Sequence, residues 1–131
     1  MYTIEQVPYG FHIVIGHPVT SEEAAAHLSL SRAMLATCAR PFGVLVDIRT
    51  LRPLDGHVQG VIDQTQRLYR ESGLRRSVVV CATTIMTMQF TRIAKETGVK
   101  DHERYVDASS TPDWEARAMA WIVDGTEPAL A

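Results

Sequence analysis

The sequence has few cysteines, little net charge and no long apolar run. Cys38 and Cys81 lie far apart without Cys-x-x-Cys spacing, which predicts two buried, reduced thiols; a disulfide and a reactive nucleophile are the alternatives. A formal net charge of -2 gives no general attraction to nucleic acid. Apolar runs end within a few residues, and the first residues form no apolar signal core, which predicts a cytoplasmic protein without membrane insertion.

Signatures of catalysis and metal binding are also lacking. The chain has no Gly-x-Ser-x-Gly elbow, no glycine-rich phosphate loop with a lysine, and no two histidines at metal-ligand spacing. Each absence is weak alone, because residues distant in sequence can converge in a folded chain. Together they predict a protein with no catalytic residues, no metal and no cofactor. A small enzyme is the less favoured alternative.

The size and apolar content are those of one compact domain. A chain of 131 residues, 46% of them hydrophobic, can bury one substantial core. We therefore expect a single domain over residues 1–131.

Hydrophobic periodicity and end signals predict five strands and four helices. The strands are predicted at residues 2–7, 11–15, 44–48, 77–82 and 105–107. The helices are predicted to begin at Thr20, at Asp55, at Thr83 or Thr84, and at Thr111, and to end before Pro41, at Ser72-Gly73, before Gly98 and at Asp124-Gly125. A frayed tail is expected from Glu127 to Ala131.

The order of these elements predicts the fold class. An opening β-hairpin followed by right-handed strand and helix units gives an α/β domain with a mixed, mainly parallel five-stranded sheet. Three successive valines from Val78 to Val80 are typical of a strand that is covered on both faces, as in parallel sheets.

Charged and hydroxyl residues follow two strands that we expect to be neighbours. Ligands of open α/β sheets bind outside the carboxyl ends of the strands, so these residues define a candidate binding surface, the loop face. Its members are Asp47, Arg49, Arg52, Asp55, His57, Thr83 and Thr84. We expect Asp47, Arg49 and Thr83 to lie at the same end of the sheet. The alternative is a solvated turn in which Arg49 pairs with Asp47 or Asp55.

Three segments give the chain a resemblance to a known family. They are the strand Val44-Leu45-Val46-Asp47, the strand Arg75-Arg76-Ser77-Val78-Val79-Val80 and the helix segment Ala120-Trp121-Ile122. Together with the opening hairpin, these segments give nearly the whole chain a pattern that resembles STAS/SEC14-type domains, and in particular a bacterial group of unassigned function that is similar to the sporulation anti-sigma-factor antagonists. The resemblance implies a STAS-like fold.

The resemblance also implies a way to regulate a partner protein. In the antagonists, a strand with an acidic end leads to an Asp-Ser-Ser-Gly turn, whose serine is phosphorylated at a helix start. Asp47 and Asp55 match the two acids, but Gly56 and His57 stand where the serines would be. The phosphorylated serine is therefore missing from this chain.

These features favour a non-enzymatic regulatory domain that binds an unidentified protein. The alternative, implied by the SEC14 side of the resemblance, is a carrier or sensor of a small apolar or anionic ligand. An enclosed pocket of several hundred Å³ would favour that alternative. We also expect a homodimer, because the last two helices carry more apolar residues than one sheet face covers. Those residues are Met86, Met88, Phe90, Trp114, Met119 and Trp121.

Overall fold

A computed structural model describes residues 1–97 and 101–128 of the chain. Its strands are β1 (Tyr2–Val7), β2 (Gly10–Ile15), β3 (Phe42–Asp47), β4 (Leu74–Cys81) and β5 (Glu103–Asp107). Its helices are α1 (Ser21–Leu35), α2 (Gly56–Glu71), α3 (Thr84–Thr97) and α4 (Trp114–Asp124). The predicted end of α3 before Gly98 lies outside the described residues.

The five strands form one mixed sheet in the order β1-β2-β3-β4-β5. The β1 and β2 strands form the antiparallel hairpin, and β2 to β5 pair in parallel. The predicted α/β class, with a five-stranded mixed sheet and four helices, is therefore confirmed for the described residues. Because β3 and β4 are parallel neighbours, the residues that follow them, including Arg49 and Thr83, lie at the same end of the sheet, as predicted.

The helices cover the sheet unequally. Because the strands follow one another across the sheet, right-handed crossovers place α1, α2 and α3 on the same face. The opposite face is covered by α4, which packs over β3, β4 and β5. Side chains that alternate along β3 divide between two cores, with Val44 and Val46 under α1 to α3 and Leu45 under α4.

The predicted N-cap residues are confirmed in three of the four helices. Thr20, Asp55 and Thr83 each accept a hydrogen bond from a backbone N–H three residues later, at 3.1, 2.9 and 3.1 Å. The prediction that α4 begins at Thr111 is wrong. The helix begins at Trp114, because the N–H of Trp114 bonds to the carbonyl of Thr111 in a turn that precedes the helix.

A close approach fixes α4 on the sheet. A Cβ atom added to Gly43 of β3 would lie 2.4 Å from Cγ2 of Ile122, so only glycine lets α4 pack at this depth. The indole N–H of Trp121 donates to the carbonyl of Ser77 at 2.8 Å.

The predicted fraying is wrong for the first two residues of the tail. Glu127 pairs with Arg104, and the carbonyl of Pro128 accepts a hydrogen bond from Arg117 at 3.1 Å. These contacts hold the tail against α4 and β5, whereas residues 129–131 of the predicted tail lie outside the described residues.

Candidate functional site

Asp47 and Arg49 of the loop face form an ion pair. Nε and Nη2 of Arg49 donate to the carboxylate of Asp47 at 3.0 and 2.8 Å, and the guanidinium lies 4.6 Å from the ring centroid of Trp114. Burial favours a higher pKa for Asp47, but the hydrogen bonds and the charge of Arg49 outweigh it and lower the pKa. This pair joins the end of β3 to the start of α4.

The other predicted loop-face residues do not join that pair. Asp55 and Thr83 are engaged as the N-caps of α2 and α3. Arg52 and His57 are exposed and make no hydrogen bond or ion pair to another described residue. The loop face thus shares one edge of the sheet, but its members do not converge on one point.

Thr84 belongs to a hydrogen-bonded cluster that the sequence analysis missed. Asp107, at the end of β5, accepts hydrogen bonds from the hydroxyls of Ser109, Ser110 and Thr84 and from the N–H of Ser109. The bonds from Ser109, and then that from Thr84, hold the pKa of Asp107 well below its usual range. The cluster satisfies the carboxylate with local donors and ties the start of α3 to β5.

A groove of about 410 Å³ lies between α2 and α3. Among the described residues, no Cα atom of α2 comes within 8 Å of a Cα atom of α3, whereas α1 and α2 pack together. The groove therefore lies between the two helices and is open to solvent along one side. Ile62 lines it from α2 and Phe90 from α3.

The floor of this α2–α3 groove is a row of side chains that cross three strands. Val46, Val79 and Tyr105 are partners in the parallel registers of β3, β4 and β5. Val46 is 5% exposed, whereas Val79 and Tyr105 are half-buried, because the gap between α2 and α3 lies beside them. Tyr105 stacks on Phe90, with the ring centroids 5.7 Å apart.

The two ends of the α2–α3 groove differ in chemistry. Leu51 and Leu54, from the loop between β3 and α2, line the end at the carboxyl edge of the sheet. Arg67, Arg70 and Glu103 line the opposite end, at the amino edge. Neither arginine is predicted from the sequence as a site residue, because arginines on the exposed face of an amphipathic helix usually contact only solvent.

The two thiols show no feature of a nucleophile. Both cysteines are free. Cys38 is only half-buried, so the prediction of two buried thiols holds for Cys81 alone. Burial raises the pKa of Cys81 to about 11, which disfavours the reactive thiolate. Among the described residues, no group of three His, Cys, Asp or Glu side chains lies close enough to hold a metal ion.

The fold and the groove define a mixed α/β domain with a ligand-sized opening between two helices. The chain matches no protein-family model, no curated protein and no solved structure. Within the described part of the chain, no helix has the length and apolar character needed to cross a membrane.

Proposed function

We propose that this domain is a non-enzymatic binding module that holds a small, mainly apolar ligand in the α2–α3 groove. The observation that supports the proposal is the groove itself, whose volume of about 410 Å³ lies within the range of small-molecule sites. The sequence alone ranks ligand binding second to protein binding. The groove is open to solvent along one side, so it is not the enclosed pocket that would favour a carrier. Its volume and apolar floor support a sensor that exchanges its ligand, which we place first.

The groove also has the composition of a ligand site. Its floor is aliphatic and aromatic, whereas Ile62 is the one apolar residue among the six that α2 contributes to the wall. An apolar floor with polar groups around it is common for small-molecule pockets. Four charged or hydroxyl residues of the loop face are already engaged. Asp47 and Arg49 pair with each other, and Asp55 and Thr83 cap helices. These engagements support a binding function over catalysis.

Calorimetric titration with the apolar probe N-phenylnaphthylamine tests this function. Val79→Trp would fill the floor of the groove and should weaken probe binding about tenfold or more. Val14→Trp is the matched control, because Val14 is a half-buried strand valine on the face away from α1 to α3. Gln66→Trp, on the helix wall, is a second blocking variant that leaves the sheet unchanged. Absence of probe binding, or equal binding by all variants, would contradict the proposal.

Binding of a regulatory protein partner is the second candidate. It is favoured by Arg52 in the loop before α2 and His57 in its first turn, which are exposed and form no hydrogen bond or ion pair with another described residue. Their position resembles that of the phosphorylated turn of the anti-sigma-factor antagonists. Crosslinking in the native host should capture a partner that is lost in Arg52→Ala or His57→Ala and retained in Arg32→Ala, while all three variants stay folded. Capture that is equal for all three would argue against the loop face as the docking surface.

A homodimer remains a proposal that α3 supports. Ile85 and Met88 are 70% and 66% exposed, more than is usual for large apolar side chains on a helix. Sedimentation should show a dimer that Met88→Lys weakens. A monomer at every concentration tested would count against it.

A further inference from the structure

The groove lining carries two arginines and two acids, and among the described residues no ion pair joins an arginine to an acid there. The guanidinium groups of Arg67 and Arg70 form no ion pair or hydrogen bond with a described residue. Both belong to α2 and are three residues apart, so they lie on neighbouring positions of one helix face. Their N–H donors are therefore open to an acceptor that the described residues do not supply.

The two acids that line the groove are already engaged by neutral donors. One oxygen of Glu103 accepts from the hydroxyl of Ser77 at 3.0 Å and the other from the hydroxyl of Tyr105 at 2.5 Å. Asp63 accepts from the amide of Gln59 at 2.8 Å. Both acids keep their charge, but neither forms an ion pair with Arg67 or Arg70, so the donors of the two guanidinium groups remain open to a further acceptor.

We propose that the amino end of the groove, at Arg67 and Arg70, binds the anionic head group of a single-chain amphiphile whose apolar chain runs toward Leu51 and Leu54. This inference rests on the proposed function and adds the chemical class and the orientation of the ligand. Hydrogen bonds between guanidinium and carboxylate or phosphate groups are among the strong ones, because both partners are charged.

The size and shape of the groove restrict the apolar part of the ligand. A volume of about 410 Å³ is near the lower limit for ligand pockets, which suits one acyl chain and leaves no room for a diacyl lipid. Val46, Val79 and Phe90 lie between the charged end and the leucines. A linear chain can therefore contact apolar surface along its whole length while its head stays at the solvated rim.

A comparison of decanoate with decanol, which carry the same chain, tests the charge at the head. Near neutral pH, calorimetry should show that decanoate binds about tenfold more tightly, which corresponds to about 1.4 kcal/mol. Decyl phosphate should bind at least as well as decanoate, because the shared feature is the anionic head. Equal affinities for decanoate and decanol would overturn the inference and leave the proposed function standing. Binding of neither compound would contradict both.

Substitution of the arginines tests the orientation. Arg67→Gln and Arg70→Gln should each weaken decanoate binding about threefold to tenfold and leave decanol binding unchanged. Arg32→Gln, on the exposed side of α1, is the matched control and should change neither affinity. The inference fails if the groove arginines have no effect on decanoate, or if their substitution weakens decanol to the same extent.

Discussion

The hydroxyl of Tyr69 on α2 lies 2.8 Å from the hydroxyl of Ser31 on α1, and both side chains are fully buried. This hydrogen bond links the two helices beside the groove. The hydroxyl of Tyr2 on β1 is also buried, but it has no hydrogen-bond partner among the described residues. The hydroxyl of Tyr69 therefore contributes a buried hydrogen bond to stability, whereas the hydroxyl of Tyr2 does not.

We expect Tyr69→Phe to lower the free energy of unfolding by about 1–2 kcal/mol, because it removes a buried hydrogen bond and leaves the hydroxyl of Ser31 unpaired. Tyr2→Phe should be neutral or stabilising, since it removes a polar group that is buried without a partner. Urea unfolding of the two variants measures both changes. A larger loss for Tyr2→Phe than for Tyr69→Phe would contradict this account of the α1–α2 interface.

Two glycines give a second pair of opposite predictions. Gly43→Ala should lower the free energy of unfolding by about 1–3 kcal/mol, because its new Cβ would displace Ile122 and with it α4. Gly60→Ala should raise it by about 0.5–1 kcal/mol, since Gly60 lies inside α2 with open space around it. Thermal or urea unfolding decides between them. Loss of stability in Gly60→Ala, or none in Gly43→Ala, would show that the packing is different.

His27 makes the stability of the fold depend on pH. The imidazole stacks on Tyr2 at a centroid distance of 4.3 Å, and burial lowers its pKa below 6.5 despite the nearby charge of Glu23. The folded state therefore binds a proton at His27 less readily than the unfolded chain does. Stability from this residue is present above about pH 6.5 and is lost as the pH falls below that value.

We expect the free energy of unfolding to decline as the pH falls below about 6.5, and His27→Gln to reduce the slope of this decline. His57→Gln, at an exposed position at the start of α2, is the control for a substitution of the same type. The interpretation is wrong if His27→Gln retains the full slope, or if stability rises as the pH falls through this range.

Local sequence patterns predict most of the elements, because helix caps and strand periods depend on neighbouring residues. Asp55 before α2 and Gly125 after α4, which has a φ of 71°, act as their types predict. The sequence pattern predicts the start of α4 too early, because Pro112 and Asp113 are residue types that are also common in turns. The Asp107 cluster could be found only in part, since Ser109 and Ser110 are local while Thr84 comes from another loop.

The groove could not be predicted from such patterns. It exists because α3 packs on β4 and β5 while its backbone stays apart from that of α2, and that separation depends on the positions of whole helices. In the sequence, Val79 is one of three successive valines of a buried strand. The pairing of β4 with β3 and β5 places its side chain below the gap between α2 and α3. Arg67 and Arg70 read as ordinary solvated residues, and only their place beside Glu103 and Tyr105 gives them a candidate role.

The most direct test of the α2–α3 groove as a ligand site is NMR detection of contacts between a bound decanoate chain and methyl groups of β4. Val79 faces the groove, while its neighbours Val78 and Val80 face α4 on the other side of the sheet. We predict nuclear Overhauser effects from the chain to the methyl groups of Val79 and Val46 and none to those of Val78 or Val80. Contacts to Val78 and Val80, or no contact to Val79 at saturating decanoate, would contradict the account.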